Sequence, residues 1–183
     1  RITGGNAIFH KGDFTYSIIL KNDNNGISAK KEFYHMLAKI LKDSLSSLGV
    51  ESFINEKLNI KNTTPNCFSS TSQYEIVDDC GFKLIGSAQK ITKEFILQHG
   101  SFFYNDNFNQ ISDYILLDRL DDVKNNKNPN KYKFEVSEIE RVFLKEFVKN
   151  FNLINYELSE NDIKNIELLI ESKYSKDVWN FKK

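Results

Sequence analysis

Short runs that alternate apolar and polar residues lie near the start and in the middle of the chain, and longer runs with apolar spacings of three and four lie elsewhere. "GNAIFH" at 5–10 and "FTYSIIL" at 14–20 are aromatic and β-branched, and "KGD" between them is a turn signal, which predicts a β-hairpin. From Ser28 to Gly49, the residues Phe33, Met36, Leu37, Ile40, Leu41, Leu45 and Leu48 fall on one helical stripe. Ser28 is its candidate N-cap and Gly49 its C-terminal stop. Residues 50–55 read as a strand, and "KLNIKNTTPNC" as a loop that ends at Cys67. "YEIVD", "FKLIGSAQKIT" and "FILQHGSFFY" then predict three strands, with "DDCG" and "KE" as turns, in an antiparallel meander.

Residues 110–121 suggest a short helix, and "DDVKNNKNPNKYK" an Asn-rich loop. Two helices close the chain, opened by the pairs Ser137 with Glu140 and Ser159 with Asp162. Their apolar faces, Val142, Phe143 and Phe147 in one and Ile163, Ile166 and Ile170 in the other, are expected to cover the sheet. The fold class is therefore α/β of the α+β kind: a mixed, largely antiparallel sheet packed with helices on one face.

Composition narrows the picture. At 183 residues, with 15 Phe and 8 Tyr, the chain can bury one sizeable core, so a single domain over 1–183 is expected. Lys plus Arg and Asp plus Glu balance at 25 each, which leaves no basic footprint for nucleic acid or an anionic membrane. No apolar run approaches the roughly 20 residues of a membrane span and no leader pattern opens the chain, so the expected compartment is the cytoplasm. Cys67 and Cys80 have neither CxxC spacing nor the numbers of a disulfide framework, and both are expected as thiols. The chain begins with Arg, and a Gly-Gly turn follows at once with nothing before it. This reads as a domain whose N-terminal part is absent.

Few residues carry chemistry on their own. Gly4 and Gly5 in "TGGNA" would let backbone approach a ligand, or simply make a tight turn. Lys83 sits on a strand followed by Gly86, Ser87 and Ala88, small residues that leave room for a ligand. Such a lysine can offset charge on a carbonyl oxygen or favour a thiolate, although strand alternation also exposes lysines with no role. His10 and His99 lack zinc-ligand spacing to either cysteine, so no metal is expected and both read as hydrogen-bonded structural histidines; His35 lies off its helical stripe and is expected in solvent. By itself Cys67 is either a nucleophile or a small packing residue.

Taken in order, "RITGGNAIFHKGDFTYSIIL", "CFSSTSQYEIV", "GFKLIGSAQKITKEFILQHGSFFYND" and "KYSKDVWNF" resemble the biotin/lipoate protein ligase family, and within it the cysteine-dependent octanoyltransferases of lipoic acid assembly. The resemblance implies that family's catalytic-domain fold. Arg1, Thr3, Gly4, Gly5 and His10 would map onto the wall of a narrow acyl tunnel, Lys83 in "GxKxxGSAQ" onto the catalytic cation, and Gln98, His99 and Gly100 onto a strand bordering the same pocket. Gly86, Ser87 and Ala88 would be substrate-binding, and Cys67 the second catalytic residue. ATP-dependent lipoate ligases of the family carry three consecutive glycines where this chain has Gly4-Gly5-Asn6. That departure, with Cys67, sides with the transferases.

The implied reaction moves an octanoyl group from acyl carrier protein to a lysine of a lipoyl-domain protein, such as the glycine cleavage H protein. It implies no cofactor. ATP and magnesium enter only under the ligase alternative, and a lipoyl amidotransferase is the other alternative.

Overall fold

The computed structural model describes residues 3, 10–22, 26–55, 74–104 and 132–181. It divides into two compact units, Arg1–Asn150 and Phe151–Lys183.

The first unit is built on five strands: β1 (Asp13–Lys21), β2 (Phe53–Ile54), β3 (Ile76–Val77), β4 (Lys83–Ile91) and β5 (Phe95–Phe103), joined in the order β1-β5-β4-β3-β2. Every pairing is antiparallel. The predicted meander is therefore present, with "KE" inside the three-residue link, 92–94, between β4 and β5. There Thr92 N–H donates to the Phe95 carbonyl at 2.9 Å, and the Thr92 hydroxyl accepts from Phe95 N–H at 3.0 Å. "DDCG" turns through Gly81, whose φ of 79° suits a residue without a Cβ. Of the predicted first hairpin, the strand from 14 to 20 forms within β1, and residues 5–9 lie outside the described residues. So do the suggested helix at 110–121 and most of the Asn-rich loop.

Helix α1 (Gly26–Ser47) follows the predicted stripe: Leu37, Ile40, Leu41 and Leu45 are buried, and His35 is exposed. Its end is set by Gly49 at φ 77°, with Val50 N–H reaching back to the Leu45 carbonyl at 2.9 Å and Gly49 N–H to that of Ser46 at 3.0 Å. That pair of bonds satisfies carbonyls the helix would otherwise leave open, and it delivers Val50 into the core. The start differs from expectation, because the helix begins at Gly26 and Ser28 lies inside its first turn. Ser137 is likewise inside rather than ahead of α2 (Val136–Phe147), whose N-cap is Glu135 without a side-chain cap bond. A capping pattern in sequence marks where a helix can start; here Glu135 is already at the boundary with extended backbone, φ −76° and ψ 140°.

The core joins α1, the sheet and α2 through Leu41, Leu45, Ile85, Phe102, Ile139 and Phe143. Phe143 of α2 meets Phe14 edge-on at 5.0 Å between ring centroids and stacks near Phe102 at 6.4 Å. These two rings are partners across β1 and β5, so α2 covers that row of the sheet as expected. Burying each such side chain contributes roughly 1.5–3 kcal/mol.

In the second unit, α3 (Glu160–Leu169) opens with the predicted reciprocal cap: Asp162 N–H donates to the Ser159 hydroxyl, and Ser159 N–H donates to the Asp162 carboxylate at 2.9 Å. Ile163, Ile166 and Ile170, expected to be covered, stand 48%, 42% and 52% exposed, and no residue of α3 is buried. A unit this short has too little apolar surface of its own to bury a helix face. The helix widens into a π turn over Ile170–Tyr174 and ends at Ser175, and the Lys173 ammonium sits over Trp179, 4.4 Å from the ring centroid. Among the described residues no helix is long and apolar enough to cross a membrane.

Candidate functional site

The three long strands sort the predicted site residues by parity. Tyr16 of β1 pairs with Gly100 of β5, and Gly100 with Ser87 of β4, so the three share one row on one face. The next row on that face is Ile18, Gln98 and Gln89. Tyr16 crosses Gly100 to reach Ser87, with the two hydroxyl oxygens 2.7 Å apart. This is why residue 100 is glycine: a Cβ there would lie 2.6 Å from the Gly86 carbonyl oxygen and 2.7 Å from Tyr16 Cε1 and Oη. Gln98 follows in the next row on the same face and accepts a hydrogen bond from Gln89 Nε2 at 3.3 Å. Burial pushes the Tyr16 phenol above its ordinary value of 10.0, opposed by the bonds to Ser87 and Gln98 and assisted by the negative field of Glu75.

The neighbouring row, Ser17, His99 and Ala88, belongs to the opposite face, and so does Gly86 in the row of Thr15 and Ser101. His99 is exposed, and its Nε2 lies 2.7 Å from the Thr3 hydroxyl. His10 Nδ1 lies 2.7 Å from the Asp13 carboxylate, which also accepts from the Ser101 hydroxyl. Both histidines are thus hydrogen-bonded, as expected. The structure therefore brings Ser87, Gln98 and Gly100 together with Tyr16, while Gly86, Ala88, His99 and Thr3 belong to the other side of the same strands.

Lys83 opens β4 and is 2% exposed. Its Nζ lies 2.6 Å from Oε1 of Glu75, itself 4% exposed at the side chain. The β3–β4 ladder skips a residue here: Ile76 pairs with Ile85 and Val77 with Lys83, which leaves Leu84 as an extra residue in β4. Lys83, Leu84 and Ile85 are in consequence buried in succession, where strict alternation would have turned one of them outward. Lys83 is thus an interior cation with a carboxylate partner, and its charge is available only to groups that share that interior.

Arg1, Gly4, Gly5 and Cys67 lie outside the described residues. Cys80 is exposed in its turn, where its sulfur and the carboxylates of Asp78 and Asp79 lie within 4.8 Å of one another. Asp78 Oδ1 already accepts from Phe82 N–H at 2.7 Å, which gives it a turn-forming role. Two residues of the site, Tyr16 and Glu75, escaped assignment in the sequence. They stand in the "FTYSIIL" and "YEIVD" segments. The parity rule that links Tyr16 to Gly100 needs the strand register before it can be applied, and Glu75 reaches Lys83 only through a bulge.

Comparison with known proteins places these features in context. A model of the lipoyl protein ligase A/B catalytic domain matches residues 1–151, ending where the first compact unit ends. The whole chain aligns at 30% identity with 73% of octanoyltransferase LipM of Bacillus cereus, and at 29% with the same share of octanoyltransferase LipM of Bacillus subtilis. Among solved structures, lipoate-protein ligase A bound with ATP is similar over 98% of this chain and 70% of its own, with a TM-score of 0.74 at 19% identity. The Thermoplasma acidophilum protein Ta0514, a putative lipoate protein ligase with bound lipoic acid, gives 0.72 at 19% identity, over 98% of this chain and 69% of its own. At such identities the structures speak to fold: the expected ligase-type catalytic-domain fold is the one present.

Proposed function

Because the chain belongs to the lipoyl protein ligase A/B catalytic-domain family, we propose that it is an octanoyltransferase of lipoate biosynthesis that carries the octanoyl group on Cys67. The observation that supports this most is the full-length 30% identity to proteins named as octanoyltransferases. The buried Lys83 is consistent with it, since a cation held in a dry interior interacts far more strongly with developing negative charge than one in water.

The donor is an octanoyl thioester of acyl carrier protein, and the acceptor is a lysine of a lipoyl-domain protein such as the glycine cleavage H protein. In the first step the Cys67 thiolate attacks the carbonyl carbon, and the electron pair moves onto oxygen near the Lys83 ammonium. Collapse breaks the bond to the carrier, whose thiolate leaves and takes up a proton. In the second step the neutral acceptor amine attacks the octanoyl-enzyme, Cys67 leaves as thiolate, and the new amide sheds the amine's proton. A thioester is already activated, so neither ATP nor magnesium is needed. Apolar contacts contribute roughly 0.8 kcal/mol per buried methylene, which favours the octanoyl chain over shorter ones modestly.

Mass spectrometry after incubation with octanoyl-acyl carrier protein is expected to find an octanoyl adduct on Cys67, and Cys67→Ser is expected to lose transfer. A Cys67→Ser variant as fast as the wild type would end the proposal. Lipoate ligases among the fold neighbours, one bound with ATP, make ligation the second reading. Product formed from free octanoate or lipoate only when ATP is present would favour it. An amidotransferase would instead accept a lipoyl group from a lipoylated protein, so exchanging acyl donors separates the third.

A further inference from the structure

The His10 side chain is 58% exposed, and its Nδ1 lies 2.7 Å from Oδ2 of Asp13, whose side chain is 4% exposed. The same carboxylate accepts from the hydroxyl of Ser101, itself buried. An ionised carboxylate has no proton to give, so the contact fixes Nδ1 as the protonated nitrogen of the neutral ring and leaves the lone pair on Nε2. A buried orienter behind a solvent-facing imidazole is the arrangement of a general base. Among the described residues the other two histidines are placed differently: Nε2 of His99 is engaged by Thr3, and His35 lies against the Tyr74 ring at 5.3 Å. Strand register sets His10 and Asp13 at the end of the sheet where Lys83 stands. Asp13 opens β1 opposite Phe103, and Phe102 pairs with Ile85, so Leu84 continues the row of Asp13 and Phe103 with Lys83 one residue past it. Two strand spacings, roughly 10 Å, separate the backbones of Asp13 and Leu84. Besides Asp13 and the Lys83–Glu75 pair, the titratable groups at this end are Lys11, next to His10 in the chain, Tyr104, which feels the field of Asp13, and Glu135, which acts on Tyr104 too.

We propose that His10 is the general base of the second half-reaction, taking the proton of the acceptor lysine's amine, and that Asp13 is its positioning residue. This rests on the octanoyl-transfer reading and names the group that receives the proton shed there. The neutral amine attacks the carbonyl carbon of octanoyl-Cys67, and its nitrogen becomes positively charged as the C–N bond forms. His10 Nε2 takes one proton from that nitrogen, the C–S bond breaks, and Cys67 leaves as thiolate with the electron pair. Asp13 stabilises the imidazolium, which returns its proton to water from its exposed edge. A base for a lysine carried in by another protein has to face solvent, as His10 does and the interior Lys83 does not.

The two half-reactions can be timed apart. Octanoyl-Cys67 is formed from the carrier thioester and followed by mass spectrometry, then mixed with the lipoyl-domain acceptor and quenched at intervals. His10→Gln can still donate to Asp13 but is not a base, and it is expected to slow transfer out of the adduct about 100-fold or more relative to adduct formation. In His10→Ala, free imidazole is expected to restore part of that rate. Asp13→Asn is expected to slow the same step about tenfold or more and to move the change of slope in its pH profile to lower pH, because the imidazolium loses its carboxylate. A purely structural Asp13 would leave that position unmoved. Equal slowing of both half-reactions, or wild-type transfer by His10→Gln, overturns the proposal. So does a wild type whose transfer step shows no change of slope between about pH 5 and 8, a measurement that needs no variant to fold. A wild type that forms no octanoyl-Cys67 overturns the transfer reading itself, and this inference with it.

Discussion

Gly100 and Tyr16 form the tightest residue-level constraint in the site. A Cβ at position 100 meets the Gly86 carbonyl oxygen at 2.6 Å, which is backbone and cannot rotate away. Gly100→Ala is therefore expected to cost about 1–3 kcal/mol by forcing the β4–β5 ladder apart, measured as a lowered denaturation midpoint. Shortening Tyr16 in the same chain should recover only part of that, because the carbonyl clash remains. Tyr16→Phe removes one hydroxyl and leaves Ser87 a partner short, at a cost of about 1 kcal/mol. It also bears on alkaline stability. The folded phenol holds its proton above the ordinary 10.0, so its contribution is complete below that value and is lost as pH rises through the higher folded value. Tyr104 is raised as well, by burial first and by the fields of Asp13 and Glu135, so Tyr16→Phe should reduce the alkaline loss without abolishing it. Chemical denaturation between neutral pH and pH 11 measures the difference.

Between elements, Glu146 of α2 makes a polar tie to α1. It accepts from the Ser47 hydroxyl of α1 at 3.1 Å and from the Lys149 ammonium at 2.5 Å. The bond to Lys149 holds its carboxyl below the ordinary 4.5, against the opposing effect of burial and with help from Ser47. A carboxyl depressed in the fold stabilises above its unfolded value, and that stabilisation is lost as pH falls through the lower folded one. Lys149 is 58% exposed, so the pair is screened and its share is modest. Glu146→Ala is expected to cost about 1 kcal/mol at neutral pH and less at pH 3, which paired urea titrations would detect. An equal cost at both values would show that packing, rather than charge, is what the residue supplies.

At the scale of the molecule, the chain divides into two compact units at Asn150, and the residues that follow, 151–159, have no regular structure and are nearly all exposed. Exposed backbone that carries no ladder bonds is where proteases cut first. Limited proteolysis is expected to cleave between Asn150 and Glu160 and to release a fragment holding the region that the family model matches. First cuts inside α1 or the β4–β5 hairpin would contradict this division.

Local pattern was enough for much of the architecture. The stripe from Phe33 to Leu48, the positive-φ stop at Gly49, the β4–β5 hairpin and the Ser159 cap all depend on neighbours within a few residues, and these are legible from the chain alone. The family, too, was legible, because an ordered set of motifs is a property of sequence. Local pattern placed Ser28 and Ser137 as caps, whereas they are the third and second residues of their helices, since competing backbone geometry sets the first turn. It could not tell that Ile163 and Ile166 would stand exposed, because amphipathicity says which face is apolar and not what meets it. Only tertiary structure decided that Lys83 is an interior cation paired with Glu75, eight positions earlier, and that Tyr16 lies over Gly100, far along the chain. Those contacts depend on strand register and on one bulged residue, and register is fixed by the packing of the whole sheet.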